Sequence, residues 1–369
     1  MFARSELSCN ETHRRSLLVP NVSRSRAAPH CVVPAARVHR VDASSIPLAI
    51  GSSCAPSRPV SFVVIAFNEE TAISSCLRSI LGQRDCALSE IVVVDDASRD
   101  GTAAAVASVD DPRIRLVRHE RNLGRGAARH NGFGHTSAEL IAYVDGDILL
   151  GSDWFARCWA VMRDGSLDAV GGVAVPDGDV AWLFNRFSLT PRVVAATTTV
   201  TGNNGLYRRS LFTRATFDPS LREGEDVAFN HALAAAESRM ATIPDLYVAH
   251  REDKSFVESI QWLFSSGRGA TRMLARYRRV RVPDIVFAGW LGTLVISLGR
   301  RSPRTAAGLS TSVVAIGATG HVMRAFELDR RRPLACAGAI GADTVLLLAY
   351  LAGRVVGFRD LLKGRAAKR

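Results

Sequence analysis

The chain has 369 residues and a formal net charge of +12 at pH 7, which allows one large α/β domain with appendages. Residues 1–58 hold 8 Lys/Arg against 3 Asp/Glu, residues 59–267 hold 20 against 27, and residues 268–369 hold 19 against 5. The acidic centre does not suit a duplex-binding face, so we expect no nucleic-acid partner. Basic residues that flank apolar segments suit an anionic membrane surface. The seven cysteines show no Cys-x-x-Cys spacing, which argues against a zinc site.

Residues 1–58 are predicted to form a disordered basic N-terminal segment. They are rich in Arg, Ser and Pro and show no sustained helical or strand period. They also contain no apolar run long enough for the core of a signal peptide. The alternative that translation starts further downstream stays open.

From residue 60 onward, predicted strands alternate with predicted helices. The predicted strands cover residues 60–65, 91–94, 114–117, 140–144 and 169–175. The predicted helices cover residues 69–83, 102–109, 126–136, 154–163 and 225–236. This alternation predicts a parallel sheet with right-handed crossovers.

Three apolar runs follow residue 267, at residues 285–298, 306–323 and 334–352. A bilayer crossing takes roughly 17 to 25 apolar residues, so the last two runs qualify and the first is short. We therefore predict a basic and hydrophobic C-terminal region, 268–369, with two or three membrane helices. An ordinary helical subdomain is the alternative. The arginines at 272–281 would keep the preceding domain on the cytoplasmic side of the cell membrane.

Carboxylates follow three of the predicted strands. The first strand runs into Asn68-Glu69, the second into Asp95-Asp96, and the fourth into Asp145-Gly146-Asp147. The carboxyl ends of parallel strands meet at one edge of a sheet, where ligands bind. Asp and Gly are ordinary turn residues, but paired carboxylates at such an edge suit a divalent cation that carries substrate phosphates.

The order and spacing of these motifs resemble family 2 glycosyltransferases of the GT-A fold, over about residues 59–260, within a predicted GT-A domain at 59–267. The resemblance implies an α/β domain with a doubly wound, mostly parallel sheet, followed here by the C-terminal hydrophobic membrane helices. It also implies a nucleotide-diphosphate sugar donor and a divalent metal, Mn²⁺ or Mg²⁺. The donor-binding residues implied are Ala66, Phe67, Glu69, Asp96, Arg125 and Asp145. The metal ligands implied are Asp147 and His250, although a lone histidine is equally often structural.

The stretch Glu223-Gly224-Glu225-Asp226 precedes a predicted helix and resembles the family's Glu-Asp motif. The resemblance implies that Asp226, beside Glu225, is the general base that deprotonates the acceptor hydroxyl. One carboxylate suffices for in-line displacement with inversion, and no second nucleophile for retention is evident. The competing interpretation is that acidic residues in a first helical turn favour the helix dipole.

Three weaker signals complete the predicted site. Asn203, Asn204 and Gly205 resemble a loop that lines the acceptor side, although the same residues fit a bare turn. The glycine-rich stretch 122–132 places Arg125 at a helix N-terminus, where it could stabilise phosphate charge. Close helix packing is the alternative explanation of these glycines. The stretch 261–268 resembles the Gln-x-x-Arg-Trp motif of processive synthases only in part, because the Arg-Trp pair is missing.

Together these features predict a membrane-associated, metal-dependent, inverting glycosyltransferase. It would move a single sugar to an acceptor hydroxyl, lipid-linked or part of a cell-envelope precursor, at the cytoplasmic membrane face. Two other classes stay open. One is a catalytically inactive sugar-nucleotide binding module of a membrane complex, and the other is a membrane transporter or scaffold with a soluble appendage.

Overall fold

The computed structural model describes residues 58–177, 199–251, 255–277, 282–299 and 333–364. Nearly all of the predicted disordered segment, 1–58, and the apolar run 306–323 lie outside these residues. The fold and the site are therefore built from the residues between Arg58 and Gly364.

The strands and helices largely follow the predicted alternation. The strands are β1 (Val60–Ala66), β2 (Leu88–Asp95), β3 (Ile114–Arg118), β4 (Leu140–Asp145), β5 (Ile148–Leu149), β6 (Ala169–Asp177), β7 (Asn204–Arg208) and β8 (Met240–Arg251). The helices are α1 (Ile73–Leu81), α2 (Thr102–Ala107), α3 (Arg125–Gly134), α4 (Trp154–Met162), α5 (Glu225–Ala235), α6 (Phe256–Tyr277), α7 (Val282–Gly299) and α8 (Pro333–Leu362). A short 3₁₀ helix covers Arg209–Thr213. Strands β5, β7 and β8 and helix α6 were not predicted.

The strands form one mixed sheet in the order β3-β2-β1-β4-β7-β6-β8-β5. Strands β3, β2, β1 and β4 are parallel, which confirms the predicted βαβ succession. Strand β7 runs antiparallel between β4 and β6, and β5 runs antiparallel to β8. The parallel half therefore carries the first three carboxylate motifs on one edge, and the mixed half brings later segments of the chain to the same edge.

Both faces of the sheet are covered by helices. Phe62 and Val64 of β1 pack with α1 and α4 on one face, whereas Val63 and Ile65 pack with α3 and α5 on the other. Side chains alternate along a strand, so a strand buried on both faces must be apolar at nearly every position. This explains why β1, β2 and β4 stand out in the sequence as continuous apolar runs.

Helix α6 continues across residue 267, where the sequence predicted a change of domain. It packs closely against α8 through glycines: Gly267 lies against the backbone at Tyr350, and Gly353 lies against the backbone at Phe264. The Thr271 hydroxyl, also on α6, donates to a backbone carbonyl of α8. Small residues let two helix backbones approach, so α6 and α8 form a tight pair.

Helices α7 and α8 contain the first and third predicted apolar runs. They meet at a buried ion pair between Arg354 and Asp284, 2.5 Å apart, and the Arg354 guanidinium lies 4.8 Å from the centre of the Phe287 ring. Among the described residues, no helix is at once long enough and apolar enough to cross a bilayer.

Candidate active site

The loops after β1 and β2 are fastened to each other by hydrogen bonds. The amide of Asn68 donates to the Ser98 hydroxyl at 2.9 Å, and the amide of Arg99 donates to the Asn68 side chain at 3.0 Å. The amide of Glu69 donates to the Thr102 hydroxyl at 2.8 Å. These bonds fix the backbone of the first predicted donor-binding residues at the sheet edge. Ala66 is buried there, Glu69 is half-buried, and Phe67 is exposed.

Asp96 is almost fully buried and organises the loop between β3 and α3. Its carboxylate accepts hydrogen bonds from the amides of Leu123 and Gly124 and contacts His119 Nδ1, all at 2.7 to 2.8 Å. The side-chain nitrogen Nδ2 of Asn131 can only donate a hydrogen bond, so His119 Nε2 accepts from it. The proton of the His119 ring therefore lies on Nδ1, facing Asp96. Asp96 was predicted to contact the nucleoside, which stays a prediction. In the structure it holds the loop that leads to Arg125.

Arg125 is the first residue of α3 and lies at the same sheet edge. Gly124, before it, has a φ of 95°, a left-handed conformation that favours glycine. The amide of Gly126 donates to the Leu221 carbonyl at 3.1 Å, so the helix N-terminus is packed under the segment that leads to α5. Desolvation lowers the pKa of Arg125, but the nearby carboxylates, Glu225 foremost, outweigh it and raise the pKa. Arg125 is therefore a charged group facing the acidic cluster.

Arg129 lies between two predicted site carboxylates, and the sequence analysis missed it. Its Nη2 donates to Asp145 Oδ1 at 2.7 Å and to the Gly202 carbonyl at 3.1 Å, and its Nη1 donates to Glu225 Oε1. The guanidinium also lies 5.6 Å from the centre of the Phe217 ring. The side chain is only 2% exposed, so a buried cation joins the end of β4 to the start of α5. Arg129 follows Arg125 by one helical turn, and this spacing is the sequence signal that could have identified Arg129 as a site residue.

The charges in this cluster shift one another's pKa values. Burial raises the pKa of Asp145, and Arg129 opposes the shift while Asp147 adds to it. Burial likewise raises the pKa of Glu225, with Arg129 opposing and Asp226 adding. Desolvation would lower the pKa of Arg129, but Asp145 and Glu225 raise it overall, so the guanidinium stays charged. Four carboxylates, on Asp145, Asp147, Glu225 and Asp226, thus share this edge with the guanidinium groups of Arg125 and Arg129.

Asp147 and His250 lie side by side, as expected of two ligands for one metal. Asp147 Oδ2 is 3.0 Å from His250 Nε2. The pairing of β5 with β8 sets this geometry, because Ile148 is opposite His250 and the amide of Arg251 donates to the Asp147 carbonyl at 2.8 Å. Asp147 is buried, with its side chain 10% exposed, and the His250 side chain is 21% exposed.

This pair fits the predicted metal by its donor chemistry. The carboxylate oxygen suits Mn²⁺ or Mg²⁺, whereas an imidazole nitrogen is more typical of transition metals, so the pair fits Mn²⁺ better than Mg²⁺. In the part of the chain that the structure describes, no group of three or more His, Cys, Asp or Glu side chains surrounds one point. A metal held by Asp147 and His250 would also bind water and substrate phosphates, as is usual for Mg²⁺ sites that bind phosphates.

Glu225 and Asp226 occupy different environments in the first turn of α5. Glu225 is buried against Arg129, whereas Asp226 is half-buried. No ion pair to Asp226 is formed by the residues that the structure describes. Gly202 lies against it, and a β-carbon on Gly202 would be 2.9 Å from that of Asp226. The proposed base thus lies beside the turn that precedes β7.

The predicted acceptor residues lie in and beside β7. Asn203 is half-buried in the turn, and its carbonyl accepts from the Asp145 amide at 3.2 Å. Asn204 is buried, where its side-chain oxygen accepts from the Gly172 amide at 2.6 Å. Gly205 pairs with Tyr143 of β4. Two of the three residues therefore lie in a strand rather than a loop, and their role toward an acceptor stays a prediction.

Comparison with known proteins identifies the family to which this chain belongs. The sequence pattern of "Glycosyl transferase family 2" matches residues 61–242. The chain belongs to glycosyltransferase family 2. This family 2 chain is 32% identical, over 220 residues, to the succinoglycan biosynthesis protein ExoO of Rhizobium meliloti, covering 53% of this chain and 62% of that protein. It is 28% identical, over 204 residues, to an undecaprenyl-phosphate 4-deoxy-4-formamido-L-arabinose transferase of Salmonella paratyphi A, covering 54% of this chain and 62% of that protein.

A solved structure shares the fold of this glycosyltransferase. It is a mannosyltransferase from Pyrobaculum calidifontis in complex with GDP-mannose and Mn²⁺, with a TM-score of 0.52 and 19% identity. The similarity covers 85% of this chain and 91% of that one. This confirms the predicted GT-A-like α/β fold, with a mixed sheet. The chain spans less than two thirds of the length of both curated relatives.

Proposed function

We propose that this family 2 glycosyltransferase is metal-dependent and inverting. It moves a single sugar from a nucleotide-diphosphate sugar to an acceptor hydroxyl. The observation that carries the proposal is that the Asp147–His250 pair and the carboxylate of Asp226 lie at one sheet edge with the buried Arg129, which binds Asp145 and Glu225, close neighbours of Asp147 and Asp226 in the sequence. One edge thus offers a cation site and a base.

The donor end of the site would be formed by the first motifs. Ala66 ends β1, Phe67 and Glu69 lie on the loop that follows, and Asp96 holds the neighbouring loop in place. Arg125 adds positive charge for a diphosphate. Mn²⁺ or Mg²⁺ held by Asp147 and His250 would neutralise charge that develops on the diphosphate leaving group.

Asp226 is the better candidate for the general base within the Glu-Asp pair. Glu225 is tied to Arg129 and buried, so its oxygen is committed to an ion pair. Asp226 is half-buried at the N-terminus of α5 and can reach a hydroxyl that approaches from the side of the turn at 201–203. A general base must contact the proton that it removes, and this requirement favours Asp226 over Glu225.

The stereochemical outcome follows from the number of available carboxylates. In-line attack by the acceptor hydroxyl forms the new glycosidic bond and breaks the bond from the anomeric carbon to the diphosphate, while the proton goes to Asp226. Retention would need a carboxylate nucleophile on the opposite face of the sugar. Asp145 and Glu225, the nearest alternatives, are both bonded to Arg129. A single displacement with inversion is therefore proposed.

The acceptor is proposed to be a lipid-linked or cell-envelope hydroxyl at the cytoplasmic face of the cell membrane. The names of the relatives from R. meliloti and Salmonella support this, since one acts in polysaccharide biosynthesis and the other uses undecaprenyl phosphate. Exposed apolar side chains on α7 and α8, including Ile285, Val295 and Phe358, also support a membrane contact.

Nucleoside diphosphate release from a panel of UDP- and GDP-sugars tests the proposal. Membranes or liposomes with polyprenyl phosphate and glycolipids supply acceptors, and Mn²⁺ or Mg²⁺ is added. We expect turnover by the wild type and by Asp245→Asn, which alters a remote surface ion pair with Arg157, and loss of turnover in Asp226→Asn. The product should have the opposite anomeric configuration to the donor. Donor binding by the wild type without turnover on any acceptor would instead identify an inactive binding module.

A further inference from the structure

The segment that leads to the proposed base has little regular structure of its own. Residues 214–224 form turns and bends between the 3₁₀ helix and α5. Gly224, directly before Glu225, has a φ of 74° in the left-handed region. The first turn of α5, with Asp226, is therefore positioned by whatever this segment contacts. The family match ends at residue 242, yet many of these contacts come from a later helix.

Helix α6 contacts this segment at three points along its length. The Ser265 hydroxyl donates to Glu223 Oε1. Met273 lies against Gly224, within about 3 Å of where a β-carbon would stand. Arg276 Nη1 is 3.0 Å from Asp218 Oδ2. The contacts are one polar, one apolar and one ionic, and they span residues 265–276 of a single rigid helix.

The same helix also contacts the body of α5. The ring of Tyr277 stacks on that of His231, with centroids 4.6 Å apart and planes 7° apart. Met273 and Tyr277 pack with Ala228 of α5 and with Leu221, which precedes it. Helix α5 is thus clamped against α6 from the residues before its first turn to its middle.

Helix α6 is in turn held by α8. Besides the close glycine contacts, Arg268 Nε donates to Asp360 Oδ2 at 2.8 Å. Thr271 Oγ1 donates to the carbonyl of the buried Arg354 at 3.1 Å. A displacement of α6 relative to the sheet would therefore require the α6–α8 pair to move as a unit.

We propose that α6, held by α8, is the element that positions Asp226 for catalysis, and that Ser265 is a positioning residue acting through Glu223. The inference rests on the proposed role of Asp226 as the base. Catalytic groups lose efficiency steeply when displaced by about 1 Å. Asp96, Asp147 and His250 are held by contacts outside this clamp, in the sheet-edge loops and in β8. Arg125 is the exception, because the Gly126 amide next to it donates to Leu221 of the clamped segment.

The full-chain variant Ser265→Ala tests the proposal. Ser265→Thr restores the hydroxyl. Ser266→Ala, on another face of the helix, is the matched control. Turnover is measured with the donor that is active in the panel, and binding of UDP with Mn²⁺ is measured by calorimetry. We expect Ser265→Ala to lower kcat roughly tenfold or more, with the Kd of UDP changed less than about twofold. Ser265→Thr should recover most of the loss. Hydrogen exchange should speed up at the amides of residues 225–228.

Three outcomes would overturn the proposal. One is a kcat for Ser265→Ala equal to that of Ser266→Ala, the second is an equal loss of kcat and UDP affinity, and the third is unchanged exchange at residues 225–228. Asp226→Asn in the same series separates this failure from failure of the proposed function. Full activity of Asp226→Asn contradicts the base itself. An inactive Asp226→Asn beside a normal Ser265→Ala contradicts only the positioning.

Discussion

Replacing Arg129 by methionine should destabilise the protein far more than a typical substitution. Methionine keeps much of the side-chain volume but removes the cation from Asp145 and Glu225. The Glu225 side chain is only 2% exposed, so its charge would be stranded, whereas the 20% exposed Asp145 can be partly hydrated. Removing one partner of a buried ion pair costs about 3 to 5 kcal/mol. We expect a loss in the free energy of unfolding of that size at pH 7.

Urea unfolding followed by circular dichroism measures this loss. Glu225 already has a raised pKa, and without Arg129 it rises further, so the folded state disfavours the ionised form. The loss should therefore shrink as the pH falls from the folded-state pKa of Glu225 toward about 4.3, and it should be smallest below that pH, where Glu225 is protonated in both states. Adding Glu225→Gln to Arg129→Met should recover a large part of the stability at pH 7. A loss under about 1 kcal/mol, or strictly additive effects of the two substitutions, would refute the reasoning.

Three further predictions follow from the geometry. Asp147→Ala should abolish Mn²⁺ binding measured by calorimetry while leaving the far-ultraviolet circular dichroism spectrum unchanged; retained binding would exclude Asp147 as a ligand. His119→Ala should weaken the binding of UDP with Mn²⁺ about tenfold, because Asp96 loses one of three bonds that hold the donor-side loop; unchanged affinity would contradict this. Gly126→Ala should lower the free energy of unfolding by about 1 to 3 kcal/mol, because its β-carbon would collide with two backbone carbonyls. The matched control is Gly134→Ala, which meets open space in the same helix and should be neutral or slightly stabilising; equal effects would contradict the packing argument.

The half of the sheet that is buried on both faces could be predicted from the sequence. Strands β1, β2 and β4 consist almost entirely of apolar residues, and each ends at a carboxylate motif. Strand β7 was missed because it begins with Asn204-Gly205, residues with low β propensity. Its position is set instead by pairing with β4 and β6. That information lies in tertiary contacts rather than in the local pattern.

The site residues likewise divide into those that a local motif identifies and those whose role depends on tertiary contacts. The carboxylates of the predicted site could be proposed because they belong to recognisable motifs: Asp96, Asp145 and Asp147 lie at the ends of strands, and Glu225-Asp226 begins a helix. Arg129 was missed because its role depends on Glu225, 96 residues away in the sequence, and on Asp145. The predicted domain boundary at residue 267 falls inside α6, where Gly267 and Gly269 allow close contacts. A single sequence does not show which distant segments come into contact in the folded protein.

The pairing of β5 with β8 has a consequence for the order of folding. Asp147 and His250 are 103 residues apart, and His250 lies on the last strand to join the sheet along the chain. Such distant contacts form late, because a long loop must close first. During synthesis, therefore, the two ligands can meet only after residue 250 has left the ribosome. A metal bound by this pair would stabilise only chains whose sheet is complete. Metal binding would therefore favour the fully folded domain over partly folded chains.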